Sequence, residues 1–271
     1  MKVLGKILLI VLSIPVFLLC ILSINFRFQI LKSGFFFNTF EKGNVYSQIS
    51  DLLKDRLITK VTAGGGNVGD IGDLSSLISP RNLRIFVEVN VESILSYANG
   101  KSKELTLAVP LSVEKVSEGV DLKDFESTTR KMSFGDFLKE FNITALEKSD
   151  IKFISYLGTI SWAAIGISFF LLILICIFIY LLTDEKKRLT PLGIMFLLLG
   201  GLTSILYFIT GFLGRSLAGN VTENSGIGAS FIAIVAPPFI ENMIKIWILF
   251  GLMSIAFGVL LFFIKKPVYN K

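Results

Sequence analysis

The sequence predicts an all-α membrane protein: four transmembrane helices, with a mostly helical extracytoplasmic domain of minor β content inserted between helices 1 and 2. Three observations predict it. The 271 residues are 52% hydrophobic with a mean hydropathy of +0.70, whereas soluble domains are about 45–50% apolar, with those residues dispersed. Here they sit in blocks long enough to cross ~30 Å of hydrocarbon, which takes about 20 helical residues. The basic residues outside the domain flank those blocks mainly on one side.

Residues 7–24 form the first block, apolar and small after Lys2 and Lys6. A basic start followed by an apolar run also fits a signal peptide, but Asn25-Phe26-Arg27-Phe28 follows without a small-x-small cleavage pattern. Leu18 and Leu19 stand before Cys20, where lipid attachment needs a small residue. Residues 1–25 are therefore expected to be an uncleaved anchor helix, and 26–156 the extracytoplasmic domain. Residues 157–271 make a three-helix region with uncharged spans at 158–183, 191–214 and 246–264 and an outside loop at 215–245.

The net charge is +6. Between Phe26 and Ser155, 17 basic residues meet 17 acidic ones, so the excess lies elsewhere. Lys2, Lys6, Lys186, Lys187, Arg188, Lys265, Lys266 and Lys271 flank the spans on one side, and only Arg215 and Lys245 on the other. This asymmetry is the positive-inside pattern. It predicts a multi-pass cell-membrane protein with both termini cytoplasmic and the large domain outside. It also accounts for the positive charge without nucleic acid.

There is no histidine, which removes the usual neutral-pH proton shuttle and the commonest metal ligand. Cys20 and Cys176 both fall inside spans, so the domain has no disulfide. No catalytic, cofactor-binding or metal-binding residue is predicted, and no cofactor. The central parts of the spans hold no ionisable residue, which argues against proton-coupled transporters, pumps and voltage sensors. Their polar residues are Ser13, Ser161, Ser168, Thr203, Ser204, Thr210 and Ser254, expected to bond back to their own helices.

Within the domain, Phe35, Phe36, Phe37 and Phe40 lead into one amphipathic helix through about Leu57, with Val45, Ile49, Leu52, Leu53 and Leu57 on its apolar side. The phenylalanines read as an interfacial or core anchor. A glycine-rich break over 61–72 lacks the Lys and Ser/Thr of a phosphate loop and reads as a linker. Ser79 and Pro80 then start a helix, and Asn99-Gly100 ends it. Leu83, Val87, Val91, Ile94, Leu95 and Ala98 form its apolar stripe, with Arg84 and Glu88 paired on the flank. Ile94 is expected in the core, so that Ile94→Asp would unfold the domain. Residues 104–109 read as a short strand ending at Pro110, and Ser133 as the cap of a helix bearing Phe134, Phe137, Leu138 and Phe141.

In the second outside loop, Pro237-Pro238 is expected to stop any continuous helix. That leaves 227–239 as an amphipathic piece lying at the interface or tucked against the outside domain, in preference to a re-entrant turn. Glu241 and Lys245 are spaced for an ion pair at the membrane boundary. Small residues at helix-packing spacing, Ala164 and Ser168, Gly200 and Ser204, Ser254 and Gly258, predict close helix association within the bundle or between copies. Asp121, Asp124 and Glu126 read as a solvated cluster, and Asn142 and Asn220 head formal glycosylation sequons.

The stretch Ser79-Pro80-Arg81-Asn82-Leu83-Arg84, then Glu88, Tyr97, Gly100 and residues 105–111, resembles a set of prokaryotic four-span membrane proteins with an anchor helix, an extracytoplasmic domain and three further spans. The resemblance implies that layout and no activity. The plan is also similar to that of claudin-like proteins. Their tryptophan and cysteine signature is missing from the first outside loop, since Trp162 and Trp247 lie near the membrane.

The functional expectation is a non-catalytic envelope scaffold or accessory subunit engaging a partner through its outside domain. The alternative is a lipid- or small-molecule-handling protein with a pocket between bundle and domain. The expected partners are membrane lipid and either another protein or a second copy of the chain.

Overall fold

The computed structural model describes residues 2–64, 78–110, 129–140, 152–219 and 227–264. The glycine-rich loop beyond Gly64, the Asp121–Asp124–Glu126 cluster, both sequons and the C-terminal lysines lie outside them. The chain divides into two compact units. One comprises 1–29, 160–216 and 240–271, the other 30–159 and 217–239.

Four helices are long and apolar enough to cross a membrane: Val3–Ile30, Leu157–Leu181, Leu189–Gly214 and Gly228–Phe263. The protein is a multi-pass membrane protein. In the first unit, α1 (Lys2–Asn25) continues into a π-helical turn at Phe26–Ile30. The other long helices are α6 (Leu157–Leu181), α7 (Leu189–Gly219) and α8 (Ile227–Phe263), whose residues 227–239 belong to the second unit. Ile175 and Ile179 of α6, Leu192, Met195 and Leu199 of α7, and Leu261 of α8 form the bundle core. From α1, Leu9, Ile10, Ile14 and Phe17 close over it. The faces turned away carry exposed Leu, Ile and Phe, including Phe169, Phe170 and Phe208, as a helix in lipid requires.

Helices α7 and α8 approach each other closely. A Cβ on Gly200 would stand 2.6 Å from the Gly251 carbonyl oxygen, and one on Gly258 would stand 2.9 Å from the Gly193 carbonyl oxygen. Backbone meets backbone because no side chain intervenes. Gly193 and Gly200 are seven residues apart, and so are Gly251 and Gly258, which is the coiled-coil repeat of an antiparallel pair.

The second unit is built on α2 (Ser33–Lys42), α3 (Val45–Ala63) and α4 (Pro80–Ala98). The single helix expected over 35–57 is two. Gly43 approaches Pro238 so closely that a Cβ would be 2.8 Å from its side chain, and Asn44 turns into the left-handed region at φ 51°. Phe40, Val45, Tyr46 and Ile49 form the core, joined by Phe36, Leu53, Leu83, Val87, Ile234 and Val235. Phe239 packs on Phe35 and Phe36, with centroids at 5.3 and 5.5 Å. Phe36 and Phe40 therefore belong to this core, with Phe35 packed beside them.

This packing corrects the reading of the proline pair. The α8 helix runs through Pro237 and Pro238 without interruption, so 227–239 is not a separate piece, although it packs against the second unit's core as one of the expected arrangements had it. Two interior prolines cost a helix about 3 kcal/mol or more each. Their neighbours Ile234, Val235 and Phe239 are anchored in the aromatic core, and that burial offsets the loss.

The α4 helix begins and ends as expected. The Ser79 hydroxyl accepts from the Asn82 amide at 3.3 Å. At the far end, Gly100 takes φ 69°, and the Gly100 and Lys101 amides return to the Tyr97 and Ser96 carbonyls, each at 2.9 Å. This is a Schellman closure. The stripe stands except at one position: Leu83 and Val87 pack on the core and Leu95 and Ala98 are buried together with Tyr97, while Ile94 is 38% exposed. The expected unfolding by Ile94→Asp loses its basis, and Leu95 holds that place.

The expected strand is β1 (Thr106–Pro110). It pairs antiparallel with β2 (Thr129–Ser133), which the sequence did not announce. Ser133 caps α5 (Phe134–Glu140) by accepting from the Asp136 amide at 3.1 Å.

Gly200 and Gly201 give a matched test of the α7–α8 seam. A Cβ on Gly201 meets nothing within 4 Å. Gly200→Ala is expected to destabilise the detergent-solubilised bundle by about 1–3 kcal/mol through overpacking. Gly201→Ala is expected to stabilise it by about 0.5–1 kcal/mol through helix propensity. Thermal unfolding of the two variants reads both effects.

Candidate functional site

Among the described residues, polar side chains gather in both units. In the second unit, Arg84 donates to Glu88 at 2.8 Å within its own helix and to Glu41 of α2 at 3.1 Å. The hydrogen bond to Glu88, followed by the charges of Glu88 and Glu41, raises the Arg84 guanidinium above its ordinary value. Arg84 and Glu41 are exposed and Glu88 is partly so, so the bridge contributes orientation more than energy.

Beside it, Tyr46 is buried and its hydroxyl has no partner. Burial, then the Glu88 carboxylate, pushes its pKa up to about 12, with Arg84 opposing and Glu41 adding. A phenol held neutral in this way is neither a nucleophile nor a base near neutral pH.

On the other flank of α4, the Asn90 amide acts as a substitute peptide for the free edge of β1. It accepts from the Ala108 N–H at 2.9 Å and donates to the Ala108 carbonyl at 3.1 Å. The Ser93 hydroxyl holds the Thr106 carbonyl. Further bonds tie Ser50 to the Ile78 carbonyl and Asn99 to the Leu31 carbonyl at 3.0 Å. These polar side chains brace the unit internally.

In the first unit, the predicted packing residues separate into two groups. Gly200 and Ser204 of α7 face Gly251, and Gly258 of α8 faces Gly193. The Ser254 hydroxyl crosses to the Phe196 carbonyl at 2.9 Å, contrary to the expectation that it would bond its own helix. Ser13, Ser168, Thr203 and Ser204 do bond their own helices. Ser168 is fully buried and donates to the Ala164 carbonyl at 2.6 Å. The reading by fours missed Gly193 and Gly251, which a seven-residue period would have found.

Glu241 and Lys245 lie 3.8 Å apart, both exposed, and Lys245 also donates to Asn242 at 2.8 Å. Near this pair is a feature the sequence reading passed over. Asn25 donates to the Met243 carbonyl and Gln29 to the Asn242 carbonyl, each at 3.3 Å. The Asn25 and Gln29 amide oxygens and the Trp247 indole nitrogen are buried without partners. Arg27 lies over the Trp162 ring at 5.2 Å, and Phe28 meets the same ring edge-on. Among the described residues, no three Cys, Asp or Glu side chains converge to hold a metal ion.

Comparison with protein-family models, curated proteins and solved structures found no match, so the resemblance drawn from the 79–111 stretch gains no support from them.

Two variants test the bracing. Asn90→Ala removes both bonds to Ala108 and is expected to cost the second unit about 1–3 kcal/mol. Tyr46→Phe removes a buried hydroxyl with no partner and is expected to raise stability by about 1 kcal/mol. Because the folded Tyr46 pKa lies above the unfolded value of about 10, its pH-linked contribution is fully present below pH 10. It is lost as pH rises toward 12. Unfolding followed between neutral pH and pH 12 is expected to show that loss in the wild type and not in Tyr46→Phe.

Proposed function

We propose that this protein is a non-catalytic membrane scaffold or accessory subunit that presents its second unit on the outer side of the cell membrane to a protein partner. The observation that carries this reading is the use of polar groups in that unit. Arg84, Glu41, Glu88, Asn90, Ser93 and Asn99 are engaged in holding its helices and sheet together. Such an arrangement suits a rigid presenting surface. A membrane bundle closed along α7 and α8 by glycine contact fits a mount better than a conduit at that seam.

The outward placement rests on the basic residues, eight on one side of the spans and two on the other. A second reading, the handling of a lipid or small polar molecule, is favoured by the unpaired Asn25, Gln29 and Trp247 atoms.

Orientation is tested with single cysteines in a background lacking Cys20 and Cys176. In intact cells, Lys103→Cys is expected to react with a membrane-impermeant maleimide, and Glu185→Cys only after permeabilisation; the reverse pattern would invert the topology. Function is tested by purification from native membranes in mild detergent, with proteins and lipids identified by mass spectrometry. A stoichiometric protein partner, lost when Leu95→Asp disrupts the second unit, is the expected result. A retained lipid without any protein partner would replace the scaffold reading with the second one.

A further inference from the structure

The end of α1 and the middle of α8 hold three buried polar atoms that the scaffold reading does not use. Asn25 is 2% exposed, and its Nδ2 is engaged by the Met243 carbonyl. Gln29, four residues further on, engages the Asn242 carbonyl through Nε2. Those bonds set both amide orientations, because turning either amide over would place its oxygen against a carbonyl oxygen. The Oδ1 of Asn25 and the Oε1 of Gln29 are left as buried acceptors without donors.

Trp247 follows Met243 by four residues on α8 and so lies on the same helix face. Helical side chains lean toward the N-terminus, which carries the indole back over the Met243 turn. Its Nε1–H is a buried donor without an acceptor. Buried polar atoms are costly to leave unpaired. The π turn at Phe26–Ile30 that carries Gln29 is an irregularity of the kind often found at functional sites.

We infer that Asn25, Gln29 and Trp247 form a binding site for hydroxyl groups, which donate to the two amide oxygens and accept from the indole N–H. The site selects chemically. Two acceptor oxygens disfavour a phosphate or carboxylate, and the indole N–H disfavours a cation. A single water donating to both amide oxygens and accepting from the indole N–H would make the three hydrogen bonds usual for a buried water. The neighbouring hydroxyls of a glycerol headgroup satisfy the same atoms with two oxygens. The site stands where charge resumes along α8, at Glu241 and Lys245, as it does where spans meet headgroups. Water and a headgroup are thus two sources of one chemistry.

The test uses the full-length protein with ¹⁵N-labelled tryptophan indoles, in nanodiscs of phosphatidylcholine alone or with phosphatidylglycerol. Trp247→Phe assigns the signal, and Trp162, 52% exposed, is the internal reference. The expected result is a Trp247 indole N–H at a hydrogen-bonded position, exchanging at least roughly tenfold slower than that of Trp162. Asn25→Leu and the milder Gln29→Met should each move that signal.

A hydrogen-bonded position in both bilayers supports the site with water as the occupant. A position that requires phosphatidylglycerol supports it with the lipid hydroxyls, provided native mass spectrometry shows that lipid retained and then lost in Trp247→Phe. An indole signal at the free N–H position in both bilayers, unmoved by Gln29→Met, overturns the inference whatever its exchange rate. The partner found or missed by affinity purification bears on the scaffold reading alone, so the two can fail separately.

Discussion

Along the seam between α7 and α8, two helix backbones touch, and much of the membrane unit depends on that approach. Lipid offers no hydrophobic drive between apolar helices, so association rests on van der Waals contact and interhelical bonds. Gly193, Gly200, Gly251 and Gly258 provide the contact by leaving nothing between the chains. Ser254 adds a bond to the Phe196 carbonyl that only such proximity permits. With α7 and α8 held, Leu192, Met195 and Leu199 line up with Leu261, and Ile175 and Ile179 pack against them.

The second unit meets a different constraint. Its core is a small aromatic and aliphatic cluster, supplemented by directional bonds from side chains to backbone. Asn90 stands in for a neighbouring strand at Ala108, and Ser50, Ser93 and Asn99 each hold a carbonyl from another element. Such bonds are worth about 1 kcal/mol each when made, and more is lost when a buried partner is stranded. They set geometry more than they add to the total. The left-handed Asn44, next to Gly43 pressed on Pro238, follows the same logic, since close approach decides the local backbone.

Polar groups in the membrane unit divide by how completely they are satisfied. The hydroxyls of Ser13, Ser168, Thr203 and Ser204 are met by their own helices. Asn25 and Gln29 are met only in part, because an amide has both a donor and an acceptor end and α8 offers carbonyls alone. That difference separates polar residues with an internal explanation from those that call for a ligand.

Fold class was legible because its signals are local. Apolar length marks a span wherever the helix ends up, and the Ser79–Pro80 start and Asn99–Gly100 stop of α4 act within one turn of backbone. The strand at β1 was legible from its alternation, but its partner β2, Thr-Arg-Lys-Met-Ser, carries no apolar period and is a strand only because β1 lies beside it. Ile94 and Leu95 are neighbours in one stripe, and only the packing of α4 decides which is buried. Pro237 and Pro238 are breakers by intrinsic preference, overruled by the burial of Ile234, Val235 and Phe239. Asn25 and Gln29 stand more than two hundred residues from Trp247, so no window of sequence pairs them with it. The amino-acid order alone determined where helices start, stop and grow long enough to span. The tertiary structure decided which faces meet and which polar atoms are left without partners, because those outcomes depend on distances that only the folded chain creates.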